Sequence, residues 1–225
     1  MSLYLYYYPF LVWELFMEKI VVIGSAGAGK STFAQKLGSI LKINVIHLDR
    51  YFWQPQWKEK PRDTRIEIQQ HLVQKERWII EGTYLSSSDS RLNAADTIIF
   101  LDMPRLLCLL RVFRRRFEYA RKPRPDLAEG CPEQLSIPYI LKVLVFPHRG
   151  RKMLLQKFRY FAPEKIVWLH SKKEVTDFLQ KYRTPCEGQT AQAIRTSQTR
   201  QEVQLDWSPL MPAFFGGYSA IGCGQ

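Results

Sequence analysis

The stretch Gly24–Ser31, GSAGAGKS, set between the apolar run Ile20–Ile23 and a segment with helical spacing, decides the fold. Its pattern is G-x4-G-K-S, the phosphate-binding P-loop or Walker A string. Glycine lets successive backbone N–H groups curl around phosphate oxygens, the Lys30 ammonium reaches the β and γ phosphates, and the Ser31 hydroxyl is placed for Mg²⁺. The helix that follows aims its positive N-terminus at the same anion. From average composition, the pattern arises by chance in a chain of this length about one time in a hundred. Gly24, Ser25, Ala26, Gly27, Ala28, Gly29, Lys30, Ser31 and Thr32 are therefore the expected nucleotide-binding residues, with ATP and Mg²⁺ as ligands.

Outward from the loop, short β-branched runs alternate with longer stretches of helical spacing, which is the pattern of βα units and a parallel sheet. Strands are expected at Ile20–Ile23, Asn44–Leu48, Trp78–Ile80, Thr97–Leu101 and Lys165–Leu169. Helices are expected at Lys30–Leu41, at Thr64–Gln74, after Pro104, and from a Ser171 cap to Leu179. Between the fourth and fifth strands, Arg121–Pro132 is a Pro/Gly-rich loop, followed by helices over Leu135–Phe146 and Lys152–Phe161. The expected fold class is α/β: a three-layer α/β/α sandwich of the P-loop NTPase type, with a five-stranded parallel sheet and a helical lid insertion based around residues 111–132.

Acidic residues at strand ends are the next candidates, because parallel sheets bind ligands beyond the carboxyl ends of their strands. Asp49 directly follows the second expected strand, taken to lie next to the P-loop strand. There a carboxylate orients or deprotonates an acceptor hydroxyl, or holds Mg²⁺ through water; the alternative is a turn cap. Glu81 closes the third strand, as an acceptor or metal contact or as a loop stabiliser. Asp102 reads as a cap for the helix after Pro104. Trp53 and Trp57 lie near Asp49 in sequence and either stack on an acceptor or pack over the sheet. Arg111 and Arg115, four apart, share a helix face that presents guanidinium groups to a polyphosphate. For Arg114, Arg116, Arg121 and Arg124, ligand contact and a solvated face are both open.

The bulk numbers bound the class. The 225 residues, 46% hydrophobic and 24% charged, suit one soluble domain. The net charge of +12 is concentrated: Arg105–Arg124 holds eight basic residues against one acid, and Lys142–Arg159 holds six with none. Such clustering points to an anionic ligand, a nucleotide or a nucleic acid, or else to a solvated basic face. The four cysteines show no CxxC pair and no metal-ligand spacing, so a reducing cytoplasm without zinc is the simplest reading. Residues 2–16, SLYLYYYPFLVWELF, are apolar but too short to span a bilayer; they read as an extension ahead of the domain start at Met17, with peripheral membrane anchoring as the sharper alternative. Residues 17–183 are expected to form the domain. Thr184–Gln225, rich in Gln, Ser, Thr and Gly, reads as a disordered tail.

From Lys19 to about Leu179 these features together resemble adenylate kinases and related small-molecule kinases. The P-loop, the LDMP turn at Leu101–Pro104, Arg111 and Arg115 carry that likeness. More narrowly, HLDRYFW (from His47), WIIEGTY (from Trp78), FLDMPR (from Phe100) and RPDLAEGCPE (from Arg124) resemble the bacterial topology modulation protein group. The resemblance implies that Arg111 packs near adenine and that Arg115 contacts the ATP phosphates. Where adenylate kinases carry their AMP-binding helices, this chain has the aromatic loop Tyr51–Trp57, so AMP is not carried over as acceptor.

Two functions remain open on the sequence. One is a kinase moving the γ-phosphoryl of ATP to a nucleoside, nucleotide or other small metabolite, with Lys30, Asp49 and Arg115 as catalytic residues and Asp49, Trp53 and Glu81 at the acceptor. The other is an ATP-dependent nucleic-acid-associated regulator, less favoured because no DNA-reading module is visible.

Overall fold

The computed structural model describes residues 17–120, 124, 126–133 and 135–183, all within the unit Met1–Arg183. The expectations for residues 1–16, for Thr184–Gln225, and for Arg121, Lys122, Pro123 and Pro125 lie outside the described residues.

In chain order, β1 (Lys19–Gly24) leads through the P-loop into α1 (Lys30–Leu41) and β2 (Val45–His47), and α2 (Leu48–Phe52) follows. A small hairpin of β3 (Trp53–Gln54) and β4 (Lys58–Glu59) precedes α3 (Arg62–Leu72) and β5 (Trp78–Glu81). Then come α4 (Asp89–Ala94), β6 (Thr97–Leu101) and α5 (Arg105–Glu118). The chain continues through α6 (Ile137–Val145), α7 (Gly150–Phe158), β7 (Ile166–Leu169) and α8 (Lys172–Arg183).

The main sheet is parallel, in the order β2-β5-β1-β6-β7. Its strands are largely apolar because both faces are covered, with polar residues only at strand ends. Alternation then divides each strand between two cores. Ile20 and Val22 face one side with Ile79 and Ile99, beneath Phe33 and Leu37 of α1, Val112 of α5 and Val143 of α6. Val21 and Ile23 face the other with Trp78, Ile80 and Phe100, against Phe52 of α2, Leu72 of α3, Leu92 of α4 and Phe158 of α7. The expected three-layer α/β/α fold with a five-stranded parallel sheet is the fold observed.

Three local expectations are corrected. Leu48 is not the last residue of the second strand: β2 stops at His47, and Leu48 opens α2, which carries Asp49 in its first turn. β1 is flanked by β5 and β6, not by β2, so among the two candidate acceptor carboxylates it is Glu81, not Asp49, that closes a strand next to the P-loop strand. Asp102 does not cap α5, whose first turn follows Pro104 without a side-chain cap. Its Oδ2 instead accepts from Arg151 Nε at 2.8 Å and lies 3.6 Å from His170 Nδ1, tying the end of β6 to α7. Ser171 does cap α8 as expected. Its Oγ accepts from Glu174 N at 3.1 Å, while Glu174 Oε2 accepts from His170 N at 2.8 Å.

Candidate active site

A cleft of about 1900 Å³ opens at the carboxyl ends of the central strands. Its walls include Gly24, Ala26–Thr32, Asp49, Trp53, Glu81, Arg111 and Arg115. Of the expected site residues only Ser25 stands off the lining; its hydroxyl is buried without a hydrogen-bond partner among the described residues.

The P-loop geometry follows from its glycines. Gly27 (φ 79°) and Gly29 (φ 97°) adopt left-handed backbone conformations, and a Cβ on Gly27 would lie 2.2 Å from the Cys108 carbonyl oxygen of α5. The loop is thus pressed against α5, and only glycine permits both the turn and the approach. Gly29 stands at the N-cap of α1 and offers no capping side chain, so the first-turn N–H groups point outward as donors. Lys30 Nζ donates to the Ser25 carbonyl at 3.0 Å. Burial lowers the Lys30 pKa, partly offset by the negative charges of Glu81 and Asp49. An orphaned hydroxyl, outward N–H groups and a desolvated ammonium fit a polyphosphate.

Ser31 sits between carboxylates. Its Oγ donates to Glu81 Oε1 at 3.1 Å, and Asp126, whose pKa burial would raise but Arg124 and further the Ser31 hydroxyl lower, lies on its other side. One proton cannot serve two carboxylates fully, which leaves acceptor capacity beside Ser31 that suits a hydrated divalent cation completed by phosphate oxygens. Glu81 itself is buried, 3% exposed, and its Oε1 also lies 2.9 Å from His47 Nδ1. In this geometry Glu81 holds the floor of the site together.

Asp49 faces the cleft from α2. Its Oδ1 accepts from the Tyr84 hydroxyl at 2.5 Å, and Trp53 Nε1 donates to that same hydroxyl at 2.7 Å. Burial raises the Asp49 pKa, and Glu81 adds to the rise; the Tyr84 hydrogen bond and Lys30 oppose it. Tyr84 is itself aimed by buried neighbours. Arg91 is wholly buried and donates to the Gly82 and Thr83 carbonyls at 3.0 and 2.6 Å and to Gln69. Burial pulls Arg91 down to about 9, so it stays charged at neutral pH. Thr83 Oγ1 donates to the Gly24 carbonyl, joining this loop to the P-loop.

The third wall comes from α5 and the segment after it. Arg111 Nη1 donates to the Ala28 carbonyl at 2.8 Å, which places it on the P-loop backbone. Arg115 Nε donates to Glu133 Oε1 and its Nη2 to Tyr139 Oη, both at 2.8 Å. Glu133 Oε2 accepts from Arg124 Nη1 at 2.7 Å, so one buried carboxylate grips both arginines. Arg124 also makes a two-pronged contact with Asp126. Burial alone would lower the Arg124 pKa, yet these carboxylates raise it; Arg124 likewise outweighs burial and lowers that of Asp126.

The same segment roofs the aromatic hairpin. Gln56 N donates to the Gly130 carbonyl at 3.0 Å and Trp57 Nε1 to the Pro132 carbonyl at 2.9 Å. Trp53 and Trp57 meet edge to face at 5.3 Å, and Trp53 lines the cleft rather than packing over the sheet.

Sequence reasoning missed His47, Thr83, Tyr84, Arg91, Asp126, Glu133 and Tyr139. The usable signal was the pair of acids, Asp126 and Glu133, standing just past a stretch of strong basic excess. Nothing in the sequence marked Tyr84 or Arg91.

No protein-family model matches the chain. Its sequence is 26% identical over 138 residues to the uncharacterized protein YqaC of Bacillus subtilis (strain 168), covering 60% of this chain and 76% of that protein. In structure it is similar to shikimate kinase from Acinetobacter baumannii in complex with shikimate, with a TM-score of 0.51 and 17% identity over 84% of this chain and 99% of that one. Shikimate kinase from Bacteroides thetaiotaomicron aligns with a TM-score of 0.44 and 17% identity over 72% of this chain and 94% of its own. The Acinetobacter likeness shows the fold: this chain has the P-loop α/β architecture of that kinase.

Proposed function

We propose that the protein is an ATP-dependent kinase that moves the γ-phosphoryl of ATP to a hydroxyl of a small molecule. The observation that carries this reading is the convergence in one cleft of a polyphosphate cradle, Gly24–Thr32, with Asp49, a carboxylate held by Tyr84. The fold shared with a small-molecule kinase supports a small-molecule acceptor, whose class the fold leaves open.

The transfer balances on this chain's own groups. The acceptor oxygen forms a bond to the γ-phosphorus as the bond from that phosphorus to the β,γ-bridging oxygen breaks, and its electron pair leaves with ADP. The hydroxyl proton passes to the Asp49 carboxylate, whose raised pKa makes it a better base than an exposed aspartate. Lys30 and Arg115 stabilise charge on the phosphate oxygens. Glu81 and Asp126 flank Ser31, where Mg²⁺ would neutralise the β and γ phosphates.

Part of the basic excess is engaged within the protein. Arg111 is held by P-loop carbonyls, Arg115 and Arg124 by Glu133, and Arg151 by Asp102. This makes a nucleic-acid partner the weaker reading. The test is ATP consumption by the purified protein across a panel of nucleosides, nucleotides, sugars and hydroxy acids, with Lys30→Ala as control. One class should accelerate ADP release several-fold, and Lys30→Ala should abolish the effect and ATP binding in a folded protein. A flat panel, or unchanged ATP affinity in folded Lys30→Ala, sinks the assignment.

A further inference from the structure

The end of the cleft beside Asp49 is walled by aromatic rings and carboxylates. Trp53, Trp57 and Tyr84 line it, with Glu59 of β4 paired opposite Trp53 in the hairpin register. Arg65 stands here too, its guanidinium 5.9 Å from the Phe52 ring centroid and 6.0 Å from that of Tyr84. Its Nη1 is held by Glu59.

The cations felt at Asp49 are Lys30 and Arg124. Lys30 belongs to the phosphate loop, and Arg124 is spent on Asp126 and Glu133. Arg65 is therefore already matched by Glu59 and Arg124 by Asp126 and Glu133, whereas Asp49 is held by the neutral Tyr84 hydroxyl. An acidic group on the acceptor would have to compete with exposed Glu59 for Arg65, or break the buried pairs of Arg124 and leave a poorly solvated carboxylate behind, besides facing Asp49 itself. An amine or a hydroxyl meets no such obstacle. Arg65 Nε, a buried donor without a partner, suits a neutral oxygen, and the indole rings suit the flat or apolar face of a sugar or a heterocycle.

Building on the kinase reading above, we infer that the acceptor is a ring-bearing hydroxyl compound without an acidic group, uncharged or carrying an amine, of the kind represented by a nucleoside or an amino sugar. Carboxylated and phosphorylated acceptors are disfavoured because they face Asp49 and Glu59 and find Arg65 and Arg124 already engaged.

The test uses the full chain and matched sets of acceptors: a nucleoside with its 5′-phosphate, and a sugar with its amino and uronic acid counterparts. Measured as ATP consumption, kcat/KM for the uncharged or amine members should exceed that of their acidic counterparts by about a hundredfold, the scale on which like charges brought face to face discriminate. Glu59→Gln, which frees Arg65, should narrow that gap at least tenfold through the KM of the acids. Arg65→Met, which leaves Glu59 unmatched, should widen it in favour of amines and serves if the first variant does not fold. Preference of the wild type for an acidic member overturns the inference and leaves the kinase reading standing. A gap unchanged in both folded variants also overturns it. A panel that nowhere accelerates ATP consumption, with ATP binding intact, removes the kinase reading and this inference together.

Discussion

Asp49 is a carboxylate that the fold makes expensive to ionise, which on the proposed kinase reading suits it to take a proton. Burial raises its pKa above the ordinary 3.8, with Glu81 adding to the effect. A carboxyl whose pKa is raised in the folded protein favours folding while protonated. That contribution is complete below the ordinary value and is lost as pH rises through the raised one. Asp49→Asn should therefore raise the Tm at pH 8, and the difference should shrink as pH falls toward 4. The amide accepts the Tyr84 hydrogen bond but cannot take a proton, so turnover should fall at least about a hundredfold with ATP affinity nearly unchanged. Wild-type turnover in single-turnover kinetics would remove Asp49 from the chemistry and turn attention to Glu81. Arg115 is argued in the same way. Held by Glu133 and Tyr139, it is positioned before any phosphate charge develops, so Arg115→Ala should lower kcat more than it raises the KM for ATP. Arg115→Lys should recover part of the loss, since an ammonium cannot reproduce the planar fork. Full activity of the alanine variant would show the arginine to be structural.

At the scale of elements, the contact that matters most is between the P-loop and α5. Gly27 meets the Cys108 carbonyl so closely that any side chain must push α5 away, and α5 carries both Arg111 and Arg115. Gly27→Ala adds a methyl against backbone at φ 79°, where overpacking and strain each cost about 1–3 kcal/mol. At about 2–4 °C per kcal/mol for a domain of this size, the Tm should fall by several degrees. ATP affinity should fall with it, measurable by calorimetry. A variant with unaltered Tm and affinity would mean that the loop and α5 are not in register as described. The hairpin β3–β4 is tied to its neighbours as well: the Gly130 and Pro132 carbonyls hold Gln56 and Trp57, so this segment and the aromatic hairpin are one assembly.

For the whole molecule, the sheet and the helices on both of its faces fall within residues 17–183, and Met17 is itself buried, 8% exposed, in the core under α1. We propose that this stretch is the folding unit. A chain trimmed to Met17–Arg183 should keep its Tm within about 1 °C and its ATP affinity, as read by scanning calorimetry and titration. A lower Tm would show that the apolar residues 2–16 or the Gln-rich residues after 183 contribute to the core. Across the described residues no helix is long and apolar enough to cross a membrane.

The sequence by itself determined the phosphate cradle, the βα alternation and the carboxylates at strand ends. Each of these is a demand made on neighbouring residues: glycines where a backbone turns, apolar runs where a strand is covered on both faces. It also placed the cap at Ser171, whose partner lies three residues away. What only the tertiary structure decided is which distant groups meet. Tyr84 reaches Asp49 across 35 residues, Ser31 reaches Glu81 across 50, and Arg115 reaches Glu133 across 18. The insertion of β5 between β2 and β1 brings Glu81, rather than Asp49, to the strand beside the P-loop. Such contacts depend on strand order and on packing at the cleft, and neither leaves a period or a spacing in the chain.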